Sequence, residues 1–182
     1  YLSVLLLLLV WMPLCSLSQI ISLGAGTSFN QNTPTFGISL AMTDNWLVVG
    51  ANYANKAFIF KKNNTDNTWE TTAAFTLNQN TGGSSGHWGD NGLIRSVAMT
   101  DNWIVVGAEG AKKAFIFERN NTDDSWDTTA VVPLDQNTDV NSFGYIVAMT
   151  NNWIVVGSGA NKAFIFKKHN IDKTWDTTAA FT

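Results

Sequence analysis

The sequence predicts an all-β protein made of β-propeller blades: three four-stranded antiparallel repeats of about 50 residues, forming an incomplete, open arc. Three observations predict it. A tryptophan motif recurs as "AMTDNWLVVGA", "AMTDNWIVVGA" and "AMTNNWIVVGS", placing Trp46, Trp103 and Trp153 at spacings of 57 and 50 residues. Each copy is followed by "AFIF", at 57–60, 114–117 and 163–166, and then by a second tryptophan, Trp69, Trp126 or Trp175, lying 23, 23 and 22 residues after the first. No ten-residue stretch beyond the leader carries the apolar period of a helix.

The first element is the leader. Residues 1–18 read as a signal peptide whose start is missing, because Tyr1 stands where a methionine and a basic segment are expected. Its apolar run of about 13 residues suits a signal core better than a membrane span. Ser16 and Ser18 supply the small residues before a cut at Gln19, which also removes Cys15, the single cysteine. A buried segment or a short anchor is the alternative. Residues 19–35 are expected to be an N-terminal strand that closes the last blade, since they end in the "NQNT" that follows each fourth strand.

The repeats then occupy 36–82, 83–138 and 139–182. From Met42 to Gln79 is 37 residues, as from Met99 to Gln136, whereas from each "QNT" to the next Met is 11, 20 and 13. The body of the unit is therefore constant and the connection varies. Within it, "SLAMT" alternates, as a half-buried strand does. "WLVVG" is continuously apolar, as a strand covered on both faces is. "KAFIFKK" is aromatic and branched. "TWETTAAF" is the fourth, more polar strand. Asp44-Asn45, Asp101-Asn102 and Asn151-Asn152 are expected to make type I′ hairpins, which need positive φ at both positions. The tryptophans are expected to fill the space between blades, each N–H meeting a carbonyl near a turn.

Composition excludes several functions. Net charge is −3 and the eleven basic residues are scattered, so no basic stripe offers itself to nucleic acid. There is no Ser/His/Asp grouping, HExxH, CxxC, phosphate loop or dinucleotide fingerprint. With two histidines and no mature cysteine, neither a metal nor another cofactor is expected.

"FGISLAMTDNWLVVGANYANKAFIF" at 36–60 resembles the FG-GAP repeat, the blade unit of integrin α-chain propellers. Phe36-Gly37 and Phe143-Gly144 carry the resemblance, with Val49-Gly50-Ala51, Val156-Gly157-Ser158 and the aromatic third strand; Leu93-Ile94 departs from it. The resemblance implies a seven-bladed, secreted or cell-surface module for adhesion or ligand binding. The family's calcium loops are not carried over, because the turns here are too short to surround the ion. The hairpins before Trp69, Trp126 and Trp175 faintly resemble the Asp-box of sialidases, but sialidase chemistry needs three arginines and only Arg95 and Arg119 are present.

Meander topology puts the first-to-second and third-to-fourth hairpins on one, uniform face. The other face holds the variable loops, where binding on a rigid scaffold usually resides. The candidate ligand residues are Asn52, Tyr53, His87, Trp88, Asp90, Glu109 and Lys112; a solvated, Gly-rich loop is the alternative for the stretch around His87. Sequons at Asn63 and Asn120 fall on the uniform face and are the candidate glycosylation sites. The expected function is non-enzymatic binding of a protein or glycan, with membrane attachment only through missing parts and self-association of the arc through its open ends. The alternatives are a glycosidase-like propeller enzyme whose catalytic residues lie outside this chain, and a purely structural surface repeat.

Overall fold

A computed structural model describes residues 26–78, 80–83, 86–87, 94–130, 132–135, 142–159, 161–169 and 174–180. Repeat 1 forms one antiparallel sheet of β1 (Phe36–Met42), β2 (Trp46–Ala51), β3 (Lys56–Lys61) and β4 (Phe75–Leu77), paired in that order. The long connection that follows carries a two-stranded ribbon, β5 (Asn80–Gly83) and β6 (Gly86–His87). Repeat 2 orders β7 (Ile94–Met99), β8 (Trp103–Ala108) and β9 (Lys113–Asn120), with two short pieces, β10 (Ser125–Trp126) and β11 (Val132–Asp135), both paired to β9. Repeat 3 shows β12 (Ile146–Met149), β13 (Trp153–Gly157) and β14 (Ala163–Lys167). The three sheets stack face to face, so the fold is all-β and propeller-like.

The three tryptophans do begin the second strands. Every residue of β8 is buried, as its unbroken apolar run requires. The sheets meet through two apolar cores. One joins Trp46, Val48, Ile59 and Leu77 of repeat 1 to Ile94, Ile104, Val106, Phe117 and Trp126 of repeat 2. The other joins Trp103, Val105, Ile116 and Leu134 to Phe143, Ile154, Val156, Phe166 and Trp175. At both junctions the first tryptophan of one sheet meets the second tryptophan of the next edge-to-face, at 5.8 Å for Trp46–Trp126 and 5.7 Å for Trp103–Trp175. Each fully buried Val or Ile side chain contributes about 1.5–3 kcal/mol, so these faces supply most of the cohesion between sheets.

Four expectations are corrected. The fourth strand does not run from the second tryptophan. Trp69 makes only a bridge to Lys62, residues 71–74 bulge outward, and pairing resumes with the amide of Ala74 donating to Ile59 before β4 begins. The polar Thr71 and Thr72 stay exposed in that bulge, whereas Leu77 reaches the core. Repeat 3 repeats the pattern, Ala180 donating to Ile165. Second, the Asx hairpins are not type I′, since none of their six residues has positive φ. In the first and third hairpins the preceding threonine stabilises the turn, Thr43 Oγ1 accepting from the amide of Trp46 at 3.3 Å and Thr150 Oγ1 from that of Trp153 at 3.1 Å, whereas Thr100 Oγ1 of the second is buried without a partner. Third, of the expected strand at 19–35 only 26–35 are described, and these form no strand, residues 19–25 lying outside the described residues; Phe29 packs on the outer face of repeat 1, 4.8 Å from the Phe60 ring and 6.4 Å from Trp69. Fourth, the indole N–H groups of Trp126 and Trp175 are buried with no acceptor, each ring being held edge-on by its neighbouring tryptophan instead.

Candidate functional site

The first strands carry exposed side chains toward the inner edge of the stack: Ile38, Leu40 and Met42 of β1 are 55–63% exposed. Near one end of these strands lies a cleft of about 270 Å³, lined by Ile38, Asn52, Arg95, Ser96, Tyr145 and Ile146. It draws on all three repeats. Asn52 comes from the loop after β2, Arg95 and Ser96 from the start of β7, and Tyr145 and Ile146 from the approach to β12. These are the ends of the strands that the meander assigns to the variable face.

Local chemistry places each group. Gly144 has φ +87, a left-handed conformation that favours glycine, and it turns the chain so that Phe143 is buried while Tyr145 stays exposed. Phe143 packs edge-to-face on Phe164 at 5.3 Å, as Phe36 does on Phe58 at 5.7 Å. Ser96 Oγ accepts from the amide of Val147 at 3.1 Å, which ties β7 to β12. Arg95 Nε lies 2.5 Å from Glu109 Oε2, and its guanidinium lies 5.1 Å from the Tyr145 ring centre. Asn52 Oδ1 is buried and lacks a hydrogen-bond donor. The cleft thus offers a guanidinium with further donors and a half-exposed aromatic ring.

Of the predicted ligand residues, the structure places Asn52 in this cleft and Glu109 beside it through Arg95. Tyr53 is next to Asn52 and 74% exposed, its amide donating to Thr35 Oγ1 at 2.9 Å. Lys112 lies in the left-handed region at φ 52 and closes the 3-10 turn Glu109–Ala111, its amide donating to Glu109. His87 falls in β6, and Trp88 and Asp90 lie outside the described residues. Arg95 and Tyr145 line the same cleft and are not among the candidates read from the sequence. The available signal was their position: each stands at or just after the place of the Phe-Gly pair, where a first strand starts.

The opposite face is polar and regular. Asn63 and Asn120, the sequon asparagines, accept from the amides of Thr65 and Thr122 at 2.8 and 2.9 Å. His169 replaces them in repeat 3 and lies 2.5 Å from Asp176. Between repeats 1 and 2 a charged group sits over the tryptophans. Lys61 Nζ is 2.5 Å from Asp124 Oδ2, Arg119 also pairs with Asp124, and Lys61 Nζ lies 5.4 Å from the Trp46 ring centre. The hydrogen bond from Lys61 holds the Asp124 carboxyl below the usual carboxylate range, with Arg119 adding to it.

No protein-family model matches the chain, and no curated protein matches it. Solved structures do resemble it. A functionally unknown protein from Desulfotomaculum acetoxidans DSM 771 aligns with TM-score 0.51 and 15% identity, over 76% of this chain and 38% of that one. A protein from Bacteroides uniformis ATCC 8492, provisionally assigned as a 6-phosphogluconolactonase, aligns with TM-score 0.58 and 7% identity, over 87% of this chain and 44% of that one. The WD40 β-propeller domain of Doa1 aligns with TM-score 0.41 and 15% identity, over 71% of this chain and 36% of that one. The chain spans less than half the length of each. At such identities the likeness is one of fold alone.

Proposed function

We propose that the chain is an arc of three FG-GAP-like propeller blades that serves as a non-enzymatic binding module, secreted or at a cell surface, with a glycan as its ligand. The FG-GAP part is supported by the glycines of the motif. Gly37 and Gly144 have φ +94 and +87, and the phenylalanine before each packs on the aromatic third strand. The extracellular part rests on the leader at 1–18, which lies outside the described residues.

The observation that carries binding is the cleft shared by the three repeats. Arg95 has donors left over after Glu109 for ring or hydroxyl oxygens, and the half-exposed Tyr145 ring suits the C–H face of a pyranose. The test is an oligosaccharide array followed by calorimetric titration of whichever sugars bind. Arg95→Ala and Tyr145→Ala are expected to weaken binding about tenfold each, or about 1.4 kcal/mol. Lys62→Ala, on the uniform face, is expected to leave it unchanged. Binding that survives both cleft substitutions, or an array with no binder, removes the glycan reading.

A further inference from the structure

Two positions of each repeat come together at the cleft end of the strands. One is the residue just after the Phe-Gly place, and the other is the residue two after Gly50, Gly107 or Gly157. In repeat 1 they are Ile38 and Asn52, which line the cleft together; in repeat 3 they are Tyr145 and Gly159. Repeat 2 alone places charge at these positions, and it places both signs: Arg95 Nε lies 2.5 Å from Glu109 Oε2. Among the residues lining the cleft only Arg95 is charged, so its pairing decides what charge the cleft shows a ligand.

The backbone fixes Glu109 in this place. Glu109 begins the 3-10 turn that Lys112 closes at φ 52, and the matching loop residues Asn55 and Asn161 are left-handed too, at φ 52 and 57. The Glu109 side chain is 17% exposed and that of Arg95 41%. The carboxylate therefore backs the guanidinium from the protein side, and the guanidinium faces the cleft beside the Tyr145 ring, 5.1 Å from its centre. The neighbouring lysines do not replace this balance. Lys113 has a carboxylate of its own in Asp135, at 3.8 Å, and Lys112 is exposed on the turn, where water and salt screen it.

We infer that Glu109 makes the cleft select uncharged sugars over acidic ones. The inference rests on the glycan reading and adds the class of sugar. A hydroxyl of a neutral sugar accepts from the remaining guanidinium N–H groups and leaves the ion pair intact. A ligand carboxylate on the same N–H groups puts two anions on one cation, and like charges held this close oppose binding. Discrimination then comes from repulsion of the wrong ligand as much as from attraction of the right one. Glu109 does not line the cleft; it acts through Arg95 and is a positioning residue.

The test compares sugars that differ only in a hydroxymethyl or a carboxylate at C6: short oligomers of glucose against those of glucuronate, and of galactose against those of galacturonate, by calorimetric titration. The neutral member of a pair is expected to bind about tenfold more tightly. Glu109→Gln, which keeps the shape and removes the charge, is expected to erase or reverse that ratio, as is Glu109→Ala, whereas a merely structural role would weaken both members alike. A second readout needs no sugar. The Arg95 Nε–H NMR signal, assigned by its loss in Arg95→Lys, is expected to shift with acetate in Glu109→Gln and to stay still in the unaltered chain, with chloride as the ionic-strength control. An acidic sugar bound as tightly as its neutral partner, a ratio that survives Glu109→Gln, or an acetate response that is the same in both chains would each overturn the inference. If no sugar binds while acetate behaves as expected, the glycan reading falls and the exclusion of anions by Glu109 stands.

Discussion

The two junctions between sheets use one apolar pattern and two different ways of closing it. At the first, Ile94 fills the space against Gly50 with a side chain. At the second, the corresponding residue is Gly144, and its backbone carbonyl lies directly on Gly107. The polar groups differ as well. The first junction holds Lys61, Arg119 and Asp124 over Trp46, whereas the second places Lys168 4.3 Å from the centre of Trp103. Ser96 bonds the backbone of repeat 3, while its counterpart Ser39 has a buried hydroxyl without a partner. The lesson is that buried strands repeat because any equivalent sheet fits them, and the rims are individual because each must fit one neighbour.

The largest effects should separate covered from uncovered tryptophans. Trp46→Ala or Trp103→Ala is expected to cost about 4 kcal/mol in denaturant unfolding, by loss of buried area and creation of a cavity. Trp153→Ala, the same residue in the same motif, should cost about 1 kcal/mol, because its face is partly open. Equal losses at the three positions would mean that Trp153 is covered in solution.

Next come the glycines. A Cβ at Gly107 collides with the Gly144 carbonyl oxygen, a backbone atom, and Gly107→Ala is expected to cost about 3 kcal/mol. A Cβ at Gly50 meets the Ser39 hydroxyl, which can rotate away, and the Ile94 methyl at 3.1 Å, so Gly50→Ala should cost about 1 kcal/mol. If Gly50→Ala proves the costlier of the two, the backbone contact does not distinguish the junctions as described.

The smallest effect is electrostatic. Folding lowers the Asp124 pKa, so the folded state binds that proton less readily than the unfolded chain. Its contribution is present above the ordinary aspartate value of about 3.9 and is lost as pH falls below it. Solvent screening limits this to about 0.5 kcal/mol for a side chain that is 42% exposed. Comparing pH–stability profiles of the chain and Asp124→Asn should show the difference vanishing at low pH. A difference that grows on acidification contradicts the pairing.

How much was legible in the sequence depends on the range over which each feature is specified. The second and third strands could be read because burial on both faces demands unbroken apolar runs, and the repeated tryptophans gave away their shared position. The variable face could be assigned because an antiparallel meander alternates its ends. Asn52 and Glu109 were reachable by that route. Arg95 and Tyr145 share an equivalent place just after the Phe-Gly position, which puts both at that face, but they stand 50 residues apart and only the stacking of repeats 2 and 3 brings the guanidinium to the ring.

The sequence by itself determined the all-β class, the repeat and the apolar faces, because periodicity and burial are properties of a strand and its immediate neighbours. The tertiary structure decided the bulge that delays the fourth strand, the turn conformation of the hairpins, the packing of Phe29 on repeat 1, and the cleft. In the bulge, the packing of Phe29 and the cleft, the deciding partner lies on another segment or sheet, whereas in the hairpins it lies three residues on within the same turn. Thr43 could be recognised as a turn-holding residue only once the chain had reversed around Asp44 and Asn45 without positive φ. The difference between Ile94 and Gly144 acquires meaning in the same way, through the glycine each one faces across the junction.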